Sequence, residues 1–273
     1  MIEHNDFTGT NIFPRASMNF KLNPNHTIRF GVSTALRTPN YIEEKFDCKV
    51  VVPTSIPNAT LLDQFSADTG NLKPERIISR EIGYIGSVGR FSLDTRLFHD
   101  EISDYIQTVK RDDFVPPVGY ILVQGAPRTS QNGGSVKVNG FETQVKWRVT
   151  KDTRALVNYA YVRISGDESL LTRDITLSMP HNTISALLTH RLNPQWDASL
   201  AYYQTSEVAE IGDGELVGSV KRLDVRLARQ FTYRTCKGEV SVAIENLFNE
   251  YYQEFAEYNV LRRRANLNVK LDF

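Results

Sequence analysis

The chain has no apolar run long enough to make a membrane-spanning helix. Such a helix needs about 18 consecutive apolar residues. No stretch of the 273 residues approaches that length, and the mean hydropathy is −0.34. A transmembrane helix is excluded, but a transmembrane barrel is not, because only alternate residues of a barrel strand face lipid. Cysteine is nearly absent: Cys48 and Cys236 are too few for a disulfide framework, or for a four-ligand zinc site without help from histidines. An excess of charge is lacking too. Lys plus Arg and Asp plus Glu both number 32, which gives no reason to expect nucleic acid as a partner. The opening segment, Met1 to Thr10, is acidic and polar where a secretory leader needs a basic start and an apolar core. Read literally that is a cytoplasmic start. The strand count below favours a chain whose leader and N-terminal part are missing.

What the sequence does contain is alternation. Ala265, Leu267, Val269, Leu271 and Phe273 alternate with Arg264, Asn266, Asn268, Lys270 and Asp272. Period-2 alternation marks a strand with one apolar and one polar face. Leu223, Val225 and Leu227 stand in the same relation to Arg222, Asp224 and Arg226. So do Val145, Trp147 and Val149 to Gln144, Lys146 and Arg148, and Ile28, Phe30 and Val32 to Arg29, Gly31 and Ser33. Eleven strands are predicted, near 13–22, 27–36, 75–87, 91–109, 135–149, 154–165, 181–192, 196–208, 219–231, 238–249 and 260–273. No helix-period segment competes with them.

The connections alternate between short and long. Asn23–His26, Val88–Arg90, Thr150–Thr153 and Asn193–Gln195 are short; Arg37–Pro74, Lys110–Gly134 and Gly166–Pro180 are long. Outer-membrane barrels have short periplasmic turns and longer extracellular loops, so the pattern fixes an orientation in which the last strand ends in the periplasm. Phe91, Trp147, Trp196, Phe231 and Phe273 all lie near a short turn or the C-terminus, on the apolar face, as an aromatic girdle requires. The predicted fold class is all-β, an antiparallel transmembrane β-barrel segment. Cys48 then sits in the longest loop and Cys236 in a turn at the other end, too far apart for a disulfide.

Against this frame several short motifs acquire meaning. Glu245 to Phe255 read ENLFNEYYQEF and are followed by a final strand ending in Phe273. Upstream come Arg37-Thr38-Pro39, Asn71-Leu72-Lys73-Pro74-Glu75, Gly140-Phe141-Glu142 and Pro180-His181-Asn182-Thr183. In this order and spacing the sequence resembles the TonB-dependent outer-membrane receptors over essentially its whole length. The resemblance implies a barrel of roughly 22 strands with a plugged lumen, of which eleven would be the second half. No signal peptide, energy-coupling box or plug domain is recognised before the first strand, so the chain reads as a plugless C-terminal portion. An odd number of antiparallel strands cannot close on itself, in keeping with a partial barrel.

The resemblance also implies a function: uptake of a ferric siderophore or similar large nutrient, caught by the extracellular loops and upper lumen. Candidate ligand-binding residues are Tyr41, Phe46, Tyr120, Arg128, Tyr258 and Arg264, since aromatic and Arg side chains suit a planar anionic chelate. Tyr251 and Tyr252 belong to the same long loops. Phe273 is the candidate assembly signal, read by the outer-membrane assembly machinery. Outer-membrane lipid is a further partner, and the TonB energy-coupling complex acts only through the missing N-terminal region. No resident cofactor is expected. The five histidines, His4, His26, His99, His181 and His190, form no close pair suited to a metal, and no nucleophile-elbow spacing marks an enzyme. In Arg262-Arg263-Arg264 alternation turns the outer two toward the lumen and Arg263 outward. Two competing readings stand beside the receptor: a plugless channel assembled from more than one chain, and an outer-membrane enzyme.

Overall fold

A computed structural model describes residues 2–5, 9–56, 60–68, 70–123, 125–167, 173–209, 215–254 and 258–272. The first strands are β1 Ile2–Asn5, β2 Gly9–Ile12, β3 Arg15–Asn23 and β4 His26–Arg37; helix α1 Tyr41–Lys45 precedes β5 Cys48–Pro53 and β6 Thr60–Ser66. There follow β7 Glu75–Val88, β8 Phe91–Ser103, β9 Ile106–Lys110, β10 Tyr120–Leu122, β11 Arg128–Asn132, β12 Val136–Arg148 and β13 Thr153–Gly166. Helix α2 Arg173–Thr176 leads to β14 Asn182–Asn193, β15 Trp196–Thr205, β16 Val208–Ala209, β17 Leu216–Val217 and β18 Val220–Tyr233. The chain finishes with β19 Cys236–Glu245, β20 Tyr252–Gln253, β21 Val260–Leu261 and β22 Arg264–Asp272.

One sheet holds eleven strands in the order β22-β19-β18-β15-β14-β13-β12-β8-β7-β4-β3, each beside its neighbour along the chain. These are the eleven predicted strands. Three of them end earlier than alternation suggested, and one begins later. The segment 91–109 breaks at Asp104, whose φ of 54° is left-handed, and β9 leaves the large sheet to pair with β11. The segment 238–249 stops at Glu245, before Asn246 and Asn249 with φ of 55° and 58°. A left-handed residue cannot continue a pleated strand. The segment 196–208 ends at Thr205 and 260–273 begins its long strand only at Arg264.

Cross-strand register shows what the alternation accomplishes. One row reads Ala155, Leu188, Leu200, Val225, Ile244 and Ala265 across six strands. The adjoining row, one residue along each strand, reads Arg154, Thr189, Ser199, Arg226, Ala243 and Asn266. Successive residues point to opposite faces, so the meander has an apolar face and a polar one. Among the described residues nothing covers the apolar face fully: Leu188 is 40% exposed, Leu200 42% and Leu267 69%. Burying a leucine fully is worth about 1.5–3 kcal/mol, so leaving so extended a face in water would be costly.

The short turns are fixed by asparagine. Asn23 Oδ1 accepts the Asn25 N–H at 2.9 Å, and Asn193 Oδ1 accepts those of Gln195 and Trp196 at 2.9 and 3.2 Å. Proline follows the asparagine in both turns, a pairing that favours a tight reversal. Near these turns Phe91 stacks on Trp147 at 5.2 Å between ring centroids, Arg229 lies over Trp196, and Phe231 covers Gly238.

The described chain divides into two compact units. One comprises Ala16–Val32, Arg80–His99 and Val138–Phe273, and holds most of the meander. The other comprises Met1–Arg15, Ser33–Ser79 and Asp100–Lys137. Within it, two stretches expected to be loops supply β5, β6, β10 and β11, which join β9 from the predicted strand 91–109 in a five-stranded sheet with the path β10-β6-β11-β9 and β5 beside β6. The pairing of β10 with β6 is parallel, unlike the antiparallel eleven-stranded sheet. Its buried residues include Leu62, Ile106 and Val136.

Candidate ligand-binding site

The two most informative motifs of the loop unit meet. Arg37, from Arg-Thr-Pro, donates through Nε and Nη2 to both Glu75 carboxylate oxygens at 2.7 and 2.8 Å, and through Nη1 to Glu43 at 2.8 Å. Glu75 ends the Asn-Leu-Lys-Pro-Glu motif. It is 4% exposed and also accepts the Ile106 N–H at 2.7 Å. Glu43 belongs to a capping box at the start of α1, in which the Asn40 side chain accepts the Glu43 N–H and the Glu43 carboxylate accepts the Asn40 N–H. Buried Glu44 accepts the Leu72 N–H at 3.0 Å, and Asn132 accepts that of Lys73 while donating to the Lys73 and Asp104 carbonyls. The expectation of no helix therefore misses α1, although Asn-x-x-Glu is a visible helix-start signal.

Beside this network the loop unit carries a hollow of about 390 Å³, lined by residues including Asp47, Lys49, Leu62, Gln64, Arg111, Phe114 and Tyr120. A hollow of this size lies within the range of about 300–1,000 Å³ usual for small-molecule sites. It combines two cations with two aromatic rings. The Asp47 carboxyl is held below its usual range, chiefly because the Gln64 side-chain amide donates to it and secondarily because of the Lys49 ammonium, with desolvation opposing. Among the predicted ligand residues Tyr120 alone is in this lining. Tyr41, 68% exposed, opens α1, and Phe46 closes it. Arg128 lies in β11 opposite Lys110, its carbonyl accepting the Ala67 N–H at 2.9 Å. Lys49, Gln64, Arg111 and Phe114 were not singled out from sequence, since the loop fold that gathers them has no periodic signature.

The remaining candidates belong to the other unit. Tyr258 is largely exposed, and Arg264 forms an ion pair with Glu245 at 3.7 Å. Arg262 lies over the Tyr251 ring at 4.4 Å, while the Arg263 N–H donates to Asn249 Oδ1 at 3.1 Å. Tyr252 is buried, with the Arg222 guanidinium donating to its hydroxyl at 3.2 Å. Phe273 lies outside the described residues. Both cysteines are free.

The Asn-Leu-Phe block is explained by Asn246, which is 1% exposed. Its N–H donates to Asp224 at 2.9 Å, its Nδ2 donates to the Glu250 carbonyl at 2.6 Å, and its Oδ1 accepts the Glu250 N–H at 3.1 Å. Asparagine tolerates the left-handed backbone better than other side chains, and here it also satisfies the turn that ends β19.

The polar face of the meander carries a chain of paired groups. Arg29 pairs with Asp94 at 2.8 Å, and Arg96 with Glu142 at 2.9 Å and Glu81 at 3.3 Å. Gln144 donates to Asn158, which donates to Ser185. Glu142 closes the Gly-Phe-Glu motif, and its glycine has a separate reason: a Cβ at Gly140 would stand 2.4 Å from the Tyr161 carbonyl and 2.6 Å from the Phe98 ring.

A family model described as TonB dependent receptor-like, beta-barrel matches residues 3–247. A sequence comparison with curated proteins gives no match. Among solved structures the chain is similar to the siderophore receptor PirA from Acinetobacter baumannii, with 20% identity, a TM-score of 0.69, and coverage of 97% of this chain and 41% of that one. It is similar to a mutant of the ferric enterobactin receptor PfeA from Pseudomonas aeruginosa in complex with enterobactin, with 13% identity, a TM-score of 0.71, and coverage of 99% and 41%. It is also similar to the copper transporter OprC, with 14% identity, a TM-score of 0.67, and coverage of 95% and 40%. The chain thus spans about two fifths of the length of these structures, and at such identities the likeness is one of fold.

Proposed function

The chain belongs to the TonB-dependent receptor-like β-barrel family, and on that premise we propose that it forms the C-terminal portion of an outer-membrane uptake barrel. The observation that carries this reading is the two-faced meander: an uncovered apolar row backed, one residue away, by a polar row. The apolar face meets lipid and the polar face lines the lumen. Edge strands β3 and β22 each have one neighbour in the large sheet among the described residues. In hydrocarbon an unpaired backbone group costs several kcal/mol, so the rest of a barrel must cover these edges.

The ligand is a ferric siderophore or similarly large nutrient, taken at the loop unit. Phe114 and Tyr120 offer ring faces there, and Lys49 and Arg111 offer charge to an anionic chelate. Tyr41, Phe46 and Arg128 are further contacts on that unit. The protein acts as a receptor and not as an enzyme. Energy coupling to TonB runs through the N-terminal region of such a receptor, and Phe273 is presented to the assembly machinery.

Two measurements test this. With the native cysteines replaced by serine in a receptor carrying this segment in lipid vesicles, Leu227→Cys is expected to meet a lipid-phase quencher and Arg226→Cys a water-soluble maleimide; the reverse pattern overturns the membrane reading. A receptor carrying this segment, titrated with a panel of iron chelates, is expected to bind at least one and to lose about tenfold in affinity with Tyr120→Ala, as for one good ring contact. Binding of none of the panel overturns the ligand assignment alone.

A further inference from the structure

From β12 to the C-terminus, the apolar face of the meander carries charge of one sign. The carboxylates of its long strands there are Glu142, Asp197, Asp224, Glu239, Glu245 and Asp272. Alternation puts every one of them on the polar face, in step with Gln144, Ser199, Arg226, Ala243 and Asn266. Cations do occur on the apolar face. Arg163 of β13 alternates with the apolar Ala155, and Lys221 and Arg229 of β18 with the apolar Val225. Each is exposed, and none forms an ion pair among the described residues. Arg229, at the short-turn end, rests over the Trp196 ring at 5.6 Å. Among the described residues neither a ring nor a carboxylate serves Arg163 or Lys221, at the opposite end.

Register fixes the level of these two cations. Tyr159, Ile184, Gln204 and Lys221 form one cross-strand row. The next row on the same face toward the short turns, Val157, Ala186, Tyr202 and Leu223, holds no charge. At this level the rings turn amphipathic: the Tyr159 hydroxyl donates to Asn182 Oδ1 at 2.7 Å and the Tyr202 hydroxyl to Gln204 Oε1 at 2.8 Å. Tyrosines with an apolar body and a satisfied polar tip mark the boundary between hydrocarbon and headgroups. Phe141 packs on Tyr159 and Tyr161, with ring centroids 5.3 and 6.2 Å apart. Beyond this shelf, the pairing that sets Gln144 beside Asn158 brings Asn139 level with Arg163, and Asn139 Oδ1 and His99 Nδ1 are hydrogen-bonded at 2.6 Å. Arg163 and Lys221 thus stand just outside the apolar rows, where a bilayer places its phosphates, on a face that supplies no anion of its own.

We propose that this rim of the apolar face is a binding surface for the phosphate groups of anionic lipids. The Arg163 guanidinium offers a phosphate its planar fork. Lys221 adds a point charge, and the shelf of Phe141, Tyr159 and Tyr161 lies beneath the headgroup. The surface selects among lipids by charge, because a zwitterionic headgroup brings its own cation and gains little from these two. The assignment rests on the membrane reading above, and it is independent of the nutrient, since it uses no residue of the loop unit.

The test reads lipid composition at the rim itself. In a receptor carrying this segment, with the native cysteines replaced by serine, Ile184→Cys takes a fluorophore between Tyr159 and Gln204. The receptor is placed in phosphatidylcholine vesicles containing a quencher-labelled lipid, either phosphatidic acid or phosphatidylcholine. Phosphatidic acid is expected to be preferred about fivefold at the label, as for one cation at a membrane surface. Arg163→Gln plus Lys221→Gln is expected to abolish the preference and Arg163→Lys to keep it. Lys237→Gln, on the polar face, is expected to change nothing. If the double variant fails to insert, Lys221→Gln alone is expected to lower the preference roughly twofold. Equal quenching by the two lipids, or an undiminished preference in an inserted double variant, overturns the proposal and leaves the membrane reading standing. Loss of the preference in inorganic phosphate at constant ionic strength also overturns it, by making the rim a site for the free anion. Quenching by neither lipid removes the membrane reading and this proposal with it.

Discussion

The meander and the loop unit both have to satisfy every backbone N–H and C=O, and they do it differently. In the meander, neighbouring strands provide the partners, and the side chains need only alternate between lipid-compatible and polar. In the loop unit, side chains supply what strands do not: Glu75 takes the Ile106 N–H, Glu44 that of Leu72 and Asn132 that of Lys73. Many residues of the meander are thus interchangeable within their face, while a few positions of the loop unit have one specific partner each. The comparison sharpens into tests at single positions.

The largest effect is expected where the meander's one rule is broken. Leu227 belongs to the apolar face and its neighbour Arg226 to the polar one. Leu227→Lys is expected to destabilise the assembled barrel by about 2–4 kcal/mol, the range for a cation on a lipid face near the midplane. Arg226→Leu forfeits its ion pair with Glu239, and is expected to cost about 1 kcal/mol. Urea unfolding of a receptor carrying this segment in lipid vesicles measures both. Equal costs for the two changes would erase the distinction between the faces.

Next comes Glu75→Ala. It strips Arg37 of its bidentate partner and leaves the Ile106 N–H without an acceptor. The expected cost is about 2 kcal/mol, confined to the loop unit. Hydrogen exchange should quicken at residues 71–75 and at Ile106, with the strands β13 to β19 unchanged. A uniform rise along the chain would show that the two units unfold together. Asn246→Ala is smaller, about 1–2 kcal/mol, combining a left-handed backbone with the loss of two side-chain hydrogen bonds. Asn246→Gly should recover the backbone part and not the rest, so it is expected to fall between Ala and the natural residue in the same unfolding assay.

These positions also show why the sequence is readable in one region and not in the other. Alternation reveals all eleven strands of the meander because an apolar face and a polar face impose a period on every strand, from Ile28 to Leu271. It cannot show where a strand stops. That depends on backbone at Asp104, Asn246 and Asn249, whose left-handed φ leaves no periodic trace. The motifs Arg-Thr-Pro and Asn-Leu-Lys-Pro-Glu are visible as words, yet their meeting through Arg37 and Glu75 spans 38 positions and appears only in three dimensions. Of the loop hollow, sequence finds Tyr120 by its chemistry. It passes over Gln64, because β6 is organised by parallel and antiparallel neighbours at once and not by a face, and over Arg111, which stands just after β9 outside any strand.

The smallest effect concerns acid, and it belongs to the loop unit alone. Gln64 donates to Asp47 and also to the Ser66 carbonyl, tying the start of β5 to the end of β6. Because that amide and the Lys49 ammonium favour the ionised carboxyl, Asp47 titrates below its usual range in the folded unit. On lowering the pH the unfolded chain takes up the proton first. The stabilisation is therefore complete above the ordinary aspartate value of about 3.9, and is lost as pH falls through the lower folded value. Asp47 is half-exposed and its Lys49 partner more so, so salt and solvent keep the effect small. The Gln64 side-chain amide resonance, followed by NMR in micelles, is expected to titrate with a midpoint below that of aspartate in an unstructured peptide. Asp47→Asn should abolish that titration and leave the resonances of the meander unmoved. A midpoint at or above the ordinary value would mean that the Gln64 contact does not hold the carboxylate, and that the β5–β6 pair relies on its backbone ladder alone.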